Sequence, residues 1–240
     1  MQFRHLTAAL LVPALVLAGC DTNESTGLVI TDNNTASVQF INASAIPLDI
    51  ATNGAVATGN GALGFASAST CITANVSSPG LTVRQTGTST PLSGFTPTFQ
   101  MGGNYSVIAY PGTGGALQFA TVTNAYTPAA GQAGLRVFNA AGAASNLDVY
   151  VTSPCAPLGT PGANNVGSAT GSSYFNVSAT GQQQIRVTNA GSQTVLLDVG
   201  NVTFTAGRNS TLVIAPALAG STAPRAFVVP GCPNPGASST

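Results

Sequence analysis

The segments LRVFNA at residues 135–140 and LDVYV at residues 147–151 decide the fold of this chain. Apolar and polar residues alternate along LDVYV, and a period of two is typical of β-strands rather than helices. A related pair of segments, SVQFINA at 37–43 and PLDI at 47–50, stands earlier in the chain. Asn42 and Asn139 are 97 residues apart, and Asp49 and Asp148 are 99 apart, so the intervening loops differ by two residues.

Further echoes keep the same order in both parts of the chain. LTVR at 81–84 is echoed by QIRV at 184–187, and a common offset of 105 relates Phe99, Asn104, Val107 and Ile108 to Phe204, Asn209, Leu212 and Val213. Repeats of this length are whole domains rather than solenoid units. Turn signals such as Asn53-Gly54 and Pro79-Gly80 separate the short strands. The pattern therefore predicts an all-β chain with two antiparallel β-sandwiches of about seven strands each.

The motif RVFNA at 136–140, followed by LDVYV at 147–151, resembles the opening of the domain of unknown function 4397 (DUF4397). The resemblance continues through residues 181–187 and the turn AGRN at 206–209, and it covers about residues 36–230. The first copy departs from the motif, since Gln39 replaces the Arg and Ile50-Ala51 replaces Val-Tyr. The resemblance implies two tandem immunoglobulin-like antiparallel β-sandwich domains in an exported bacterial lipoprotein. It brings no established activity or catalytic residues.

The first twenty residues are typical of an export signal. Arg4 and His5 precede an apolar run at residues 6–17, which is too short to span a bilayer as a permanent helix. The run ends in LAGC at 17–20, which resembles the lipobox of bacterial lipoproteins. We therefore expect cleavage before Cys20 and lipidation of its thiol, which anchors the mature chain in a membrane.

Composition shifts give the expected domain organisation. It comprises a lipoprotein signal peptide at 1–19, a flexible tether at 20–35, β-sandwich repeat 1 at 36–126, a linker at 127–133, β-sandwich repeat 2 at 134–230 and a flexible tail at 231–240.

Several kinds of chemistry are excluded by composition. The chain has no lysine, and its one histidine, His5, lies in the segment expected to be removed. A mature chain without imidazole cannot form a Ser-His-Asp triad or a histidine metal site, and the lack of lysine excludes a Schiff base. Only 5% of residues are charged and the formal net charge is zero, which argues against nucleic acid as a partner. We expect no catalytic residues, no metal and no cofactor.

Two motifs that suggest ligand binding are better explained by loops. GNGALG at 59–64 matches the dinucleotide pattern G-x-G-x-x-G, but no helix-forming segment follows it, and no acid lies between Asp49 and Asp148. These two aspartates fall in separate copies, and one carboxylate per copy is too few for calcium. We expect each to cap a loop or pair with a nearby Arg, and Asp198 to serve a turn.

Cysteines and tyrosines leave alternatives open. Three thiols remain after Cys20, so one disulfide leaves one thiol over. Cys155 and Cys232 both fall in the second copy, so we favour a bridge between them and expect Cys71 to be a small buried residue. The five tyrosines are expected in the core or at an interface, the alternative being a sugar-stacking face: Tyr105, Tyr110, Tyr126, Tyr150 and Tyr174.

The sequence thus favours a non-catalytic, lipid-anchored protein of the bacterial cell envelope, on its periplasmic side or surface. It would act as a structural or protein-interaction module, with membrane lipid as a partner through acylated Cys20 and an envelope protein as a further partner. The alternative is a protein that binds a glycan or another envelope polymer through loops at one end of a sandwich. An enzyme would have to use only Asp, Glu, Ser, Tyr, Cys or Arg.

Overall fold

A computed structural model describes residues 34–142, 146–217, 221 and 223–233. Their regular secondary structure consists of β-strands, apart from a 3-10 turn at Thr113–Gly115, and the predicted all-β sandwich fold is confirmed. The first half of the molecule contains β1 (Thr35–Asn42), β2 (Leu48–Thr52), β3 (Ala55–Val56), β4 (Ser67–Ala68), β5 (Ile72–Asn75), β6 (Leu81–Gln85), β7 (Asn104–Pro111) and β8 (Leu117–Thr123). The second half contains β9 (Gln132–Asn139), β10 (Leu147–Thr152), β11 (Ala163–Val166), β12 (Thr170–Gly171), β13 (Phe175–Ser178), β14 (Gln182–Asn189), β15 (Val195–Thr203), β16 (Asn209–Ala215) and β17 (Arg225–Pro230).

Each half consists of an inner and an outer sheet. The inner sheet of the first half has the order β4-β1-β7-β8, with β5 also paired to β1, and its outer sheet has the order β3-β2-β6. The second half repeats this arrangement with β12-β9-β16-β17, plus β13 on β9, and with β11-β10-β14-β15. One hydrophobic core lies between the two sheets of each half.

Pairing is antiparallel with one exception in each half. β1 pairs with β7 in parallel, from Ser37 opposite Asn104 to Asn42 opposite Ala109. β9 pairs with β16 in the same way. A parallel pair needs a long crossover, and here the chain between the paired strands runs through the outer sheet.

The outer sheets differ at one edge. β15 is a nine-residue strand that pairs with β14, whereas the corresponding part of the first half is a loop. In that loop Pro91 forms only an isolated bridge with Arg84. Because proline lacks an N–H group, it cannot continue a sheet ladder.

The two inner sheets pack face to face, so the described residues form four layers within one compact unit. A third apolar cluster lies between the halves, and its buried members come from both: Ile41, Ala43, Ile108, Tyr110, Phe138, Ala140, Val213, Ala215 and Val229. The sequence pattern predicts half-buried strands, yet nearly all of β1, β7, β9 and β16 is buried. The reason is that one face of each strand covers its own core and the other face covers the partner half.

Side chains at equivalent positions of this interface differ in size. Tyr110 on β7 corresponds to Ala215 on β16, and Ala120 on β8 corresponds to Phe227 on β17. The Tyr110 ring packs edge-on against Phe138, with ring centroids 5.5 Å apart. Large residues of one half therefore fit where the other half has small ones, so the two faces are complementary rather than identical.

The expected Cys155–Cys232 disulfide is wrong. Cys232 is bonded to Cys71, across a sequence separation of 161 residues, and Cys155 is free and exposed. After β17 the chain crosses to the first half, where Asn104 Nδ2 donates to the carbonyl oxygens of Cys232 (3.1 Å) and Pro233 (3.2 Å). Cys155 instead follows β10 of the outer sheet, where its N–H donates to Gln184 Oε1 (2.9 Å).

Two expected boundaries also shift. β9 begins at Gln132, inside the predicted linker 127–133, and β1 begins at Thr35, inside the predicted tether 20–35. The predicted flexible tail 231–240 begins with residues that are held in place, since the Gly231 N–H donates to the Asn209 carbonyl and Cys232 is in the disulfide. The signal peptide, the rest of the tether and residues 234–240 lie outside the described residues.

Candidate functional site

The interface between the inner sheets changes from apolar to polar along its length. At the polar end Arg136 on β9 is only 3% exposed. Its Nε donates to Thr211 Oγ1 (3.0 Å), Nη1 to the Thr123 carbonyl (2.7 Å) and Nη2 to Asn124 Oδ1 (2.6 Å). The guanidinium also lies over the Tyr174 ring, 5.0 Å from its centroid. Arg136 thus connects both halves through neutral partners.

Ionisation at this end is governed by burial. Burial lowers the pKa of Arg136 because removal from water disfavours the charged guanidinium. Burial also raises the pKa of the Tyr174 phenol, while the charge of Arg136 and a hydrogen bond with Thr211 act in the opposite direction.

Two asparagines at an offset of 105 hold the chain where it leaves each half. Asn209 Nδ2 donates to the carbonyls of Asn124 (3.1 Å) and Tyr126 (2.8 Å), which follow β8. Asn104 holds Cys232 and Pro233 after β17 in the same way. Each half therefore binds the segment that follows the last strand of the other half.

A groove of about 630 Å³ opens beside Arg136, between β8 and the segment after β12. Its lining residues are Thr121, Val122, Thr123, Ala125, Tyr126, Arg136, Gly171, Ser172, Ser173 and Tyr174. The rings of Tyr126 and Tyr174 are stacked, with centroids 5.1 Å apart and planes inclined by 13°. The Tyr126 hydroxyl donates to Asn176 Oδ1 (3.0 Å).

Gly134 allows the Tyr126 ring to lie against the inner sheet. A Cβ atom at this position would collide with Asn209 Oδ1 and would lie 2.7 Å from Tyr126 Cδ1. The close approach of Tyr126 to this strand therefore depends on the absence of a side chain at position 134.

The tyrosines do not form one shared face. Tyr110 belongs to the interface and Tyr150 is buried in the outer sheet of the second half. The Tyr105 ring lies 5.1 Å from that of Phe99, and its hydroxyl accepts a hydrogen bond from Gln100 N (2.9 Å). Only Tyr126 and Tyr174 line the groove.

The repeated aspartates cap loops in the outer sheets, as expected. Asp148 accepts hydrogen bonds from the backbone N–H groups of Asn165 (2.7 Å) and Gly191 (2.8 Å). Asp49 accepts from Ala62 N (2.7 Å) and Thr86 Oγ1 (2.9 Å). The bond from Ala62 is the largest cause of a pKa below the usual value for Asp49, against the opposing effect of burial.

Asp198 and the glycine-rich motif also serve local structure. Asp198 accepts from Gly200 N (2.9 Å) and Gln184 Nε2 (2.7 Å), which is the turn role expected for it. GNGALG at 59–64 forms a loop in which Asn60 Oδ1 accepts from the Thr70 hydroxyl (2.8 Å). Within the described ranges, no group of three or more His, Cys, Asp or Glu side chains could hold a metal ion.

The asparagine of the repeated motif has a structural role as well. Asn42 Nδ2 donates to the carbonyls of Ile46 (2.8 Å) and Leu63 (2.7 Å), and Asn139 Nδ2 donates to Val166 O (3.1 Å). Asn139 Oδ1 also accepts from Ala141 N (3.1 Å), so both asparagines fix segments that follow the first strand of their half to the inner sheet.

Among known families, the model described as Domain of unknown function (DUF4397) matches residues 22–150. The chain belongs to this family. The DUF4397 match covers the whole first half and continues into β10 of the second. No curated protein matches the chain.

Two site predictions involve other parts of the chain. Cys20, the expected lipidation site, lies outside the described residues. None of the described residues belongs to a helix that is long and apolar enough to span a membrane. Sequence reasoning missed the role of Arg136, whose only signal was that Gln39 stands at the matching position of the first copy.

Proposed function

We propose that this DUF4397 protein is a lipid-anchored cell-envelope protein whose four-layer β-unit serves as a non-catalytic structural or protein-interaction module. The observation that carries the proposal is the joining of the two halves through one buried interface. The polar residues described above are used to cap loops and to hold the halves together. Such an arrangement favours a rigid unit that presents loops and grooves.

Sequence supports the anchor. The segment LAGC at 17–20 follows an apolar run, and acyl chains on Cys20 would add about 0.8 kcal/mol of membrane affinity for each buried methylene group. Together these features support a location of the mature protein at the bacterial cell envelope, on the periplasmic side or the surface.

Metabolic labelling tests the anchor. Cells that express the full chain are grown with an alkyne-tagged palmitate, and the protein is isolated from membrane and soluble fractions. We expect label and membrane association in the unaltered protein and in Cys155→Ser, which removes the exposed free thiol. Cys20→Ser should lose both. Equal labelling of Cys20→Ser, or an unlabelled Cys20 in the membrane fraction, would contradict the proposal.

The interaction role requires the whole β-unit as bait. Because the halves share a buried apolar layer, either half alone would expose that layer and bind other proteins nonspecifically. Cross-linking in intact envelopes, with the full lipidated chain tagged after residue 240, should capture a reproducible partner that a Cys20→Ser chain captures less well. A chain that captures none, or that turns over a substrate at its groove, would refute the role.

The alternative function, binding of a glycan or another envelope polymer, is favoured by one observation. The groove beside Arg136 combines a volume of about 630 Å³ with the hydroxyl groups of Thr121, Ser173 and Tyr126. Ligand-binding pockets commonly measure about 300–1,000 Å³.

A further inference from the structure

The positions of Arg136 and Gln39 are equivalent in topology, but their surroundings differ. Arg136 on β9 corresponds to Gln39 on β1, since each lies two residues past the first pair of the parallel ladder. Near Gln39 the Cys71–Cys232 bridge joins the halves, whereas near Arg136 the space is an open groove. The first half therefore builds the same sheet without a cation. Pairing of the inner-sheet strands alone therefore does not require an arginine at position 136.

Among the described residues, the partners of the Arg136 guanidinium include no carboxylate. Its three hydrogen-bond acceptors are a hydroxyl, a carbonyl and an amide oxygen, and no residue that lines the groove is acidic. A buried charge is costly unless it is paired, and the bonds within the described residues use three of the five guanidinium N–H groups. Burial lowers the pKa of Arg136, and the interaction with Tyr174 opposes this effect only in part. This end of the groove consequently attracts anions.

The groove walls indicate what kind of anion fits. Thr121, Thr123 and Ser173 are exposed, and their hydroxyl groups can donate to and accept from a polyhydroxylated ligand. The rings of Tyr126 and Tyr174 stack on each other, and the Arg136 guanidinium lies over Tyr174, so these aromatic faces already have partners and stacking of a neutral sugar is not the main attraction. A single arginine matches a single carboxylate.

We propose that this groove binds a carboxylated sugar of an acidic envelope polymer, with the carboxylate directed to Arg136 and the sugar hydroxyls to Thr121, Thr123 and Ser173. The inference rests on the polymer-binding alternative above and names its ligand class. It requires neither the lipid anchor nor a protein partner.

Calorimetric titration of the full chain in detergent tests the site. The probes are trigalacturonate, the neutral galactotriose and galactose 6-phosphate. We expect trigalacturonate to bind at least about tenfold more tightly than galactotriose, since a charge-assisted hydrogen bond is about twice as strong as a neutral one. Tighter binding of galactose 6-phosphate would overturn the carboxylate assignment. Equal affinities for the charged and neutral trisaccharides, or no binding at millimolar concentration, would overturn the site.

Two variants locate the binding, and the first of them lies at an exposed position outside the buried network. Ser173→Glu places a carboxylate in the groove at an exposed position and should weaken trigalacturonate binding about tenfold or more, whereas the matched Ser173→Gln should not. Arg136→Gln introduces the residue that the first half carries at this position and should abolish the preference for the charged probe. Equal binding by Ser173→Glu and Ser173→Gln would place the ligand elsewhere. Because binding is measured on purified protein, failure here leaves the labelling result for Cys20 unaffected.

Discussion

Truncation of Phe138 to alanine tests whether the layer between the inner sheets is a true core. Phe138 is 1% exposed and packs edge-on against Tyr110 of the other half. Loss of a buried phenylalanine costs about 3–5 kcal/mol, so Phe138→Ala should lower the melting temperature by roughly 6–20 °C for a unit of this size. Tyr110→Ala and the double variant complete a cycle, in which the pair should couple by about 0.5–1.5 kcal/mol.

Thermal unfolding of each variant is measured by calorimetry and, separately, with two spectroscopic probes. If the halves share one core, all variants should unfold in a single transition that shifts as a whole. Leu196→Ala is the control, because Leu196 is an exposed apolar residue on β15 and its loss should change stability by less than about 0.5 kcal/mol. Two resolved transitions, with only the second half affected by Phe138→Ala, would refute the shared core.

Three further predictions concern the bridge, the polar end and the loop caps. Removal of the disulfide by Cys71→Ser or Cys232→Ser should lower the free energy of unfolding in urea by about 5 kcal/mol, because the bridge closes a loop of 161 residues. Cys155→Ser should leave this free energy unchanged. Asn209→Ala should lower the free energy of unfolding by about 1–3 kcal/mol in the same assay, because the carbonyl of Tyr126 loses its bond from Asn209 Nδ2 and that of Asn124 keeps only the bond from Tyr126 N–H; an unchanged midpoint would contradict this. Folding lowers the pKa of Asp49 below 3.8, so its stabilisation is complete above that pH and is lost as the pH falls through the lowered value. Melting curves of Asp49→Asn should therefore lose part of the decline below about pH 4 that the unaltered protein shows, and identical pH profiles would show that this cap is unimportant.

The local sequence pattern is sufficient to predict the strands, the repeat of the asparagines and aspartates, and the loop-capping role of the aspartates. The alternation in LDVYV and the contacts between each repeated aspartate and its loop involve neighbours within one half. Both can therefore be predicted from the sequence. The loop-capping role of Asp49 and Asp148 followed from their count alone, since one carboxylate per half suits a cap better than a metal.

Contacts between the halves could not be read in this way. Ile41 and Phe138 look like residues on the second face of a half-buried strand, and nothing local shows that another sheet covers them. The disulfide was assigned wrongly for the same reason, because Cys232 follows a strand of the second half but packs on the first. The importance of Arg136 depends on the burial that this packing creates.

The positions of Asn34 and Pro233, the first and last described residues, have a mechanical consequence. The carbonyl of Thr35, at the start of β1, accepts a hydrogen bond from Gly102, and Asn104 nearby holds Pro233. Tension applied between Asn34 and Pro233 would reach Cys71 and pass through its sulfur bridge to Cys232, bypassing every strand from β5 to β17. Under oxidising conditions, stretching would therefore extend little more than β1 to β4, and the entire second half would be shielded from the pull.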